Sequence, residues 1–301
     1  MKPAQFQYHR PTSAAEAVEL AAELEEAEFM AGNQSLGIVM SNRLATPANI
    51  VDLSRVDELD FVEVDEDTVR VGALTTHRSI SQSDALAEHV PMLPAAAEQI
   101  AGPSVRNRGT LGGSLGEADP AGNYPAALVA LDGDITLRGP DGTRTTSARD
   151  FFIAYMFTDM TEAELIESVS VPREPFPPDR TGMAFDELKR AAQTWPTISA
   201  GASVRVDDPD ADEPTIEDAR LALANAADVP LHVPDAEAAV EGEPLSEATL
   251  DEVGAAAREA ADPSEEMHAD REFKLDVAAE YSRRALETAY GRACGTGGGA
   301  A

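Results

Sequence analysis

A chain of 301 residues has room for two or three domains and for a large cofactor among them. Its acidic residues outnumber the basic ones 55 to 23, for a net charge of −32, which excludes nucleic acid and anionic membranes as partners. No apolar run approaches the roughly 20 residues that span a bilayer, so an integral membrane segment is excluded as well.

The first predicted element is a strand over QFQYHR (5–10). Met1 to Arg10 lacks the apolar core of a signal peptide, so a cytoplasmic location is expected. Ser13 and Glu16 make a capping box opening a helix with Val18, Ala21, Ala22 and Leu24 on one face. Glu28 to Ala31 reads as a second strand running into the glycine-rich turn AGNQSL (31–36). NIVDLSRV (49–56) is a third strand and closes a unit over residues 1–57.

A second unit spans residues 58–172. It opens with strand composition in TVRVGALTT (68–76), followed by two short helices over 80–88 and 93–101 and the second glycine-rich turn, TLGGSL (110–115). Tyr124 to Leu131 is a buried helix and Asp134 to Gly139 a strand. The four prolines of PREPFPPDRTG (172–182) oppose both helix and central strand, which sets a boundary there. In the last unit, 173–290, MAFDELKR, ISAGASVRV and EDARLALANAA read as an antiparallel sheet, with DDPDADEP (207–214) an exposed loop between two of its strands. Two helical patterns, LSEATLDEVGAAAREAA and REFKLDVAAEYSRRALETAY, follow, and residues 291–301 read as a flexible tail.

The two turns carry the chemistry. Neither is a G-x-G-x-x-G fingerprint or a P-loop. Gly32, Asn33, Gln34 and Ser35, and later Thr110, Leu111, Gly112, Gly113 and Ser114, can aim consecutive N–H groups and small hydroxyls into one concavity, a nest that suits pyrophosphate. Each is equally readable as a plain structural turn. Asn33 follows glycine where a left-handed conformation is tolerated best by asparagine. Fixed dipoles suit a chain with only three lysines, Lys2, Lys189 and Lys274. Scarce lysine and dispersed acid together point to an extreme halophile, whose molar salt shortens the screening length to about 3 Å. The single Cys294 holds no four-cysteine iron–sulfur cluster, and the five histidines lack zinc-ligand spacing, so no metal is expected here and any cluster lies on another chain. No nucleophile stands beside a base, so no catalytic residue is assigned.

Residues 4 to about 285 resemble the FAD-binding medium subunit of the carbon-monoxide dehydrogenase and xanthine dehydrogenase family. The likeness rests on AGNQSL with RLATPANIVDLSRV, on VGALTTHRSI (71–80), and on RNRGTLGGSLGEADPAGNYPAALVALDGDI (106–135). It implies an α+β protein with a vanillyl-alcohol-oxidase-like (PCMH-type) FAD fold, two α/β subdomains and a C-terminal antiparallel sheet with helices. It also implies FAD contacts on Ala31, Gly32, Asn33, Gln34, Ser35 and Leu36 and on Thr110 to Ser114. Asn123 stands where many relatives carry an aspartate that helps hold the nucleotide. Asp119 either caps the next helix, the favoured reading, or touches the cofactor. Leu165 or Ile166 and Phe185 are implied at the isoalloxazine end, with Lys189 and Arg190 able to place positive charge near the ring.

The implied partners are a large subunit with the molybdenum cofactor and a small subunit with [2Fe-2S] clusters, in a dimer of heterotrimers. Electrons would pass from those clusters through FAD to a terminal acceptor, with the carbon-monoxide type favoured over the xanthine type. Two alternatives stay open: a self-contained FAD oxidoreductase with its own small-molecule substrate, and a scaffold that has lost its flavin.

Overall fold

The computed structural model describes residues 2–295, and each sequence unit contributes one main sheet. In the first, β1 (Gln7–His9), α1 (Ala14–Glu23), β2 (Ala27–Met30), α2 (Leu36–Ser41) and β3 (Asn49–Asp52) build a parallel sheet of order β1-β3-β2. Parallel neighbours need crossovers. The second of these is the glycine-rich turn with α2, so the turn lies at the end of a strand because the sheet is parallel. Ser13 Oγ accepts the Glu16 N–H, but the Glu16 carboxylate returns to the Thr12 N–H, at 2.7 Å, one residue earlier than a capping box places it. β3 is the middle strand and all four of its residues are buried. It stops at Asp52, short of the predicted Val56, because Val56 N–H turns back onto Leu53 O.

The second sheet is antiparallel. Its elements are β4 (Val62–Val64), β5 (Thr68–Gly72), α3 (His77–Ser81), α4 (Asp84–His89), α5 (Met92–Glu98), α6 (Pro103–Arg106), α7 (Leu111–Glu117), α8 (Asn123–Ala130), β6 (Asp134–Gly139), β7 (Gly142–Ser147), α9 (Ala148–Phe151), β8 (Phe152–Ala154), β9 (Phe157–Thr158) and β10 (Leu165–Pro172). The strand order is β4-β5-β10-β6-β7, with β8 and β9 a separate hairpin. The helix predicted over 80–88 is two helices, since Ser83 Oγ caps a new start by accepting the Leu86 N–H. On the outer side, the Arg144 guanidinium grips Glu164 at 2.7 and 2.9 Å and Asp159 at 2.5 Å, clamping β7 to the start of β10. That grip holds the Glu164 carboxyl down to about 2.

In the last unit β11 (Thr181–Lys189), β12 (Pro196–Val206), β13 (Ile216–Ala224) and β14 (Leu231–His232) form an antiparallel sheet in sequence order, followed by α10 (Pro234–Ala238), α11 (Glu247–Ala260) and α12 (Arg271–Ala293). α12 continues through Ala293, whose side chain is buried in the core, into the span 291–301 expected to be a tail, and residues 296–301 lie outside the described ones. β12 is covered on both faces. Ile198, Ala200, Ala202 and Val204 join the core under α11 and α12, while Gly201 faces Ala130 and Met92. Small residues on β12 therefore let α8, buried at every position, lie directly on the sheet.

Lys274, at the start of α12, is 1% exposed. Its ammonium donates to Ser264 O at 3.1 Å and Glu266 Oε1 at 3.0 Å, and Asn225 Nδ2 donates to the same Glu266 oxygen at 2.7 Å. Removing one partner of such a clasp strands the other. Lys274→Ala is expected to lower the unfolding free energy by about 3 kcal/mol in denaturant titrations run in molar KCl. A loss below about 0.5 kcal/mol would show that the clasp contributes nothing to the fold.

Candidate functional site

The two glycine-rich turns meet. A Cβ on Gly32 would lie 2.1 Å from Arg108 O and 2.8 Å from Gly109 Cα, so the first turn rests on the backbone that leads into the second. Ser35 Oγ donates to Glu117 Oε2 at 2.9 Å across 82 residues of sequence. The second turn is sewn in turn to the segment after β5: Gly112 N–H donates to Ala73 O at 2.8 Å, Leu111 N–H to Thr75 O at 3.0 Å, and His77 N–H to Gly109 O at 2.9 Å. A Cβ on Gly112 would stand 2.6 Å from that of Ala73. The VGALTTHRSI segment is therefore the floor under the second turn.

The donors divide unequally between the turns. In the first, the N–H groups of Gly32, Asn33, Gln34 and Ser35 find no acceptor among the described residues. Asn33 holds the left-handed conformation, φ 58°, and Gln34 Nε2 braces the turn by donating to Gly32 O at 2.9 Å. In the second, the sequence leads one to expect free N–H groups, and the structure uses them internally. Leu111 and Gly112 bond the floor, and Gly113 and Ser114 bond Thr110 Oγ1 and Thr110 O, both at 3.1 Å, as the N-cap of α7. What the second turn offers is shape: Gly113 and Gly116 lie exposed along α7, beside Ala31 and Ile166 respectively.

Charge around the turns is mixed: Arg106 and Arg108 precede the second turn, and Glu117 and Asp119 follow it. Burial raises the Glu117 carboxyl above its usual range, opposed by the Ser35 hydrogen bond and aided by Asp119. Asp119 does not cap α8. It accepts the Ala121 N–H at 2.9 Å and closes the 119–122 turn, because α8 starts only at Asn123, behind Gly122. Under the second turn, burial and the Arg106 charge lower His77 to about 4, and its Nδ1 and the buried Tyr124 hydroxyl both lack a partner among the described residues, their rings 5.4 Å apart.

The other sequence candidates fall elsewhere. Asn123 is buried and donates to Ala96 O at 3.0 Å and to Glu187 Oε2 at 3.2 Å. Lys189 pairs with that same Glu187 and donates to Gln99 O, so its charge is already matched. Phe185 packs against Gly201 in the core, and Leu165 points into the N-terminal core beside α1. A groove of about 730 Å³ runs past Lys189, between Gln99 to Arg106 and the 187–193 segment. Sequence reading overlooked Glu117. Its signal was an acid in the last turn of a helix, where the macrodipole disfavours one.

FAD, the cofactor that the resemblance implies, needs N–H donors for its pyrophosphate and a bare surface for its rings. The residues present fit: four N–H groups of the first turn have no acceptor among the described residues, and a Cβ at Gly32 or Gly112 would push its turn off the backbone it rests on. Residues 4–174 match the FAD binding domain in molybdopterin dehydrogenase, and residues 183–289 the CO dehydrogenase flavoprotein C-terminal domain. The chain is 35% identical over 292 residues to the nicotine 6-hydroxylase medium subunit of Paenarthrobacter nicotinovorans, covering 97% of this chain and 100% of that one. It is 32% identical over 293 residues to the carbon monoxide dehydrogenase medium chain of Hydrogenophaga pseudoflava, covering 97% and 99%. A solved structure of carbon monoxide dehydrogenase from Hydrogenophaga pseudoflava, lacking the Mo-pyranopterin moiety, is similar with a TM-score of 0.92 and 34% identity, covering 97% of this chain and 99% of that one.

Two outcomes are expected. Gly32→Ala parts the turns, so the purified chain should carry at least about tenfold less flavin, a loss of about 1.4 kcal/mol or more in affinity, read from absorbance against protein content. His77 titrates near 6.5 when unfolded and about 4 when folded, so its contribution is whole above the higher value and lost as pH falls between them. His77→Gln should remove up to about 3 kcal/mol of the stability change over that interval, measured by denaturation at a series of pH values. An unaltered pH profile would show that His77 is not buried neutral.

Proposed function

This chain belongs to the family of FAD-binding medium subunits of molybdenum hydroxylases, and from that membership we propose that residues 31–36 and 110–114 hold the FAD pyrophosphate between them. The chain is the FAD-binding electron-transfer subunit of a heteromeric dehydrogenase, placed between the iron–sulfur clusters of a partner and a terminal acceptor. FAD, when bound, supplies a redox group that takes electrons singly and releases them in pairs. The observation that carries the reading is the row of N–H groups at Gly32 to Ser35 without an acceptor among the described residues, beside a helix left bare by Gly113 and Gly116.

The residues divide the work. Gly32 to Ser35 donate to phosphate, Ala31 and Leu36 flank them, and Thr110 to Ser114 set the distance between the turns. Ile166, beside Gly116, belongs to the ring side. Leu165, Phe185, Asn123 and Lys189 are the interior supports on which β10, β11 and α8 are seated, and Asp119 fixes the turn between α7 and α8. We place the domain boundaries at 57/58 and 172/173, within a vanillyl-alcohol-oxidase-like fold. The identities to the two medium subunits, one named for nicotine and one for carbon monoxide, differ little, as they should if substrate is chosen on another chain. Within the family the proposal is the carbon-monoxide type, in a dimer of heterotrimers, and the match of residues 183–289 to the CO dehydrogenase flavoprotein C-terminal domain is in keeping with that type.

An extremely halophilic, cytoplasmic setting is part of the proposal. Lys189 and Lys274 are inside the fold, which leaves Lys2 as the exposed lysine. No helix among the described residues is long and apolar enough to cross a membrane. The complex should show an oxidised-flavin spectrum that bleaches when electrons enter through the iron–sulfur subunit. A colourless complex with full activity would contradict the assignment.

A further inference from the structure

The Ser35 hydroxyl has one proton to donate, and it is committed to Glu117. That bond joins the first turn, whose Gly32 to Ser35 N–H groups have no acceptor among the described residues, to the last residue of α7. Among the described residues no lysine or arginine pairs with Glu117. The groups around it are accounted for element by element. The first turn carries no charged side chain, the exposed Arg108 stands on the segment beneath that turn, and Asp119 lies two residues on from Glu117. On and just before β10, which packs against α7, Glu167 is held by Arg138 and Glu164 by Arg144, each at 2.7 Å. On α8 the ionisable groups reduce to Tyr124, buried and neutral, its hydroxyl pushed far up by burial.

We propose that Glu117 is a proton-linked positioning residue for FAD: Ser35 Oγ turns from the carboxylate to a phosphate oxygen, and Glu117 takes up one proton from solvent as it does so. The inference rests on the first turn being the pyrophosphate site. Two facts of chemistry drive it. One hydroxyl cannot donate to a carboxylate and a phosphate at once. A half-buried carboxylate without a cation, left beside new negative charge, is also disfavoured against its neutral form. Burial already raises Glu117 in the free chain, so the added step is small. Protonated Glu117 gains a donor and can return the bond to Ser35 Oγ, keeping the two turns joined. A group that binds a proton on complexation makes affinity fall as pH rises, so FAD is held more tightly in mildly acid solution.

The test is an FAD titration of the flavin-stripped full-length chain in molar KCl, followed by flavin fluorescence from about pH 5.5 to about pH 8.5. Binding heats in two buffers of different ionisation enthalpy would count the protons. For the wild-type chain the Kd should rise by up to about tenfold per pH unit within the window, with up to one proton taken up per FAD. Glu117→Gln and Glu117→Ala should each bind FAD with a flat pH profile, and more tightly than wild type at the alkaline end. Ser35→Ala should bind more weakly and keep a slope. Wild-type affinity that ignores pH, with no proton taken up, would overturn the proposal without touching the assignment of the site. A persistent slope in both Glu117 variants would overturn it too. A wild-type chain that binds no FAD at any pH would remove the reading beneath it and the inference together.

Discussion

At Gly32 one backbone lies directly upon another, with no room for a single methyl group between the first turn and Arg108. Much of the architecture around the site bears on that approach. The parallel order β1-β3-β2 puts the turn at a strand end, and the floor formed by Ala73 to His77 fixes the height of the second turn. α7 then leads through the 119–122 turn into α8, and α8 lies on β12 because Gly201 and its neighbours are small. The C-terminal sheet thus helps to hold the two turns at their spacing, although it lies beyond them in the chain.

The second constraint is charge. With a net charge of −32 the chain has few cations to set against a dinucleotide, and Lys189, the lysine nearest the groove, is already paired with Glu187. Peptide dipoles do not depend on lysine, and unpaired N–H groups make an anion site that molar salt does not strip away. The same acidity reaches into the junction itself, where Ser35 meets Glu117. Phosphate recognition and proton uptake would then be two aspects of one hydrogen-bond exchange. Asn123 fits this pattern: its amide donates to the buried Glu187, where an aspartate would set two carboxylates together.

Local signals in the sequence were reliable where one element decides the outcome. Ser13 as a helix N-cap, the apolar run Tyr124 to Leu131 and the acidic loop at 207–214 all mark features the fold contains, because capping, burial and turn chemistry are encoded within a few residues. The left-handed Asn33 was legible for the same reason. Pairing between distant segments was not. Nothing in TLGGSL says that its N–H groups will bond Ala73 and Thr75, so both turns looked like equal donors until the floor was seen. The continuation of α12 through Ala293 likewise depends on what the helix packs against, whereas the break at Gln82 and Ser83 rests on the local Ser83 cap. Glu117 left only a faint trace, an acid at the wrong end of a short helix.

The central claim is that the first turn donates and the second turn shapes. Amide hydrogen exchange of the full-length chain with and without FAD measures this directly, since unbonded N–H groups exchange fast and bonded ones slowly. Addition of FAD should strongly protect the peptide covering residues 31–36, while the peptide covering 110–114, already bonded internally, should change little. Equal protection of both, or none at Gly32 to Ser35, would contradict that division of roles.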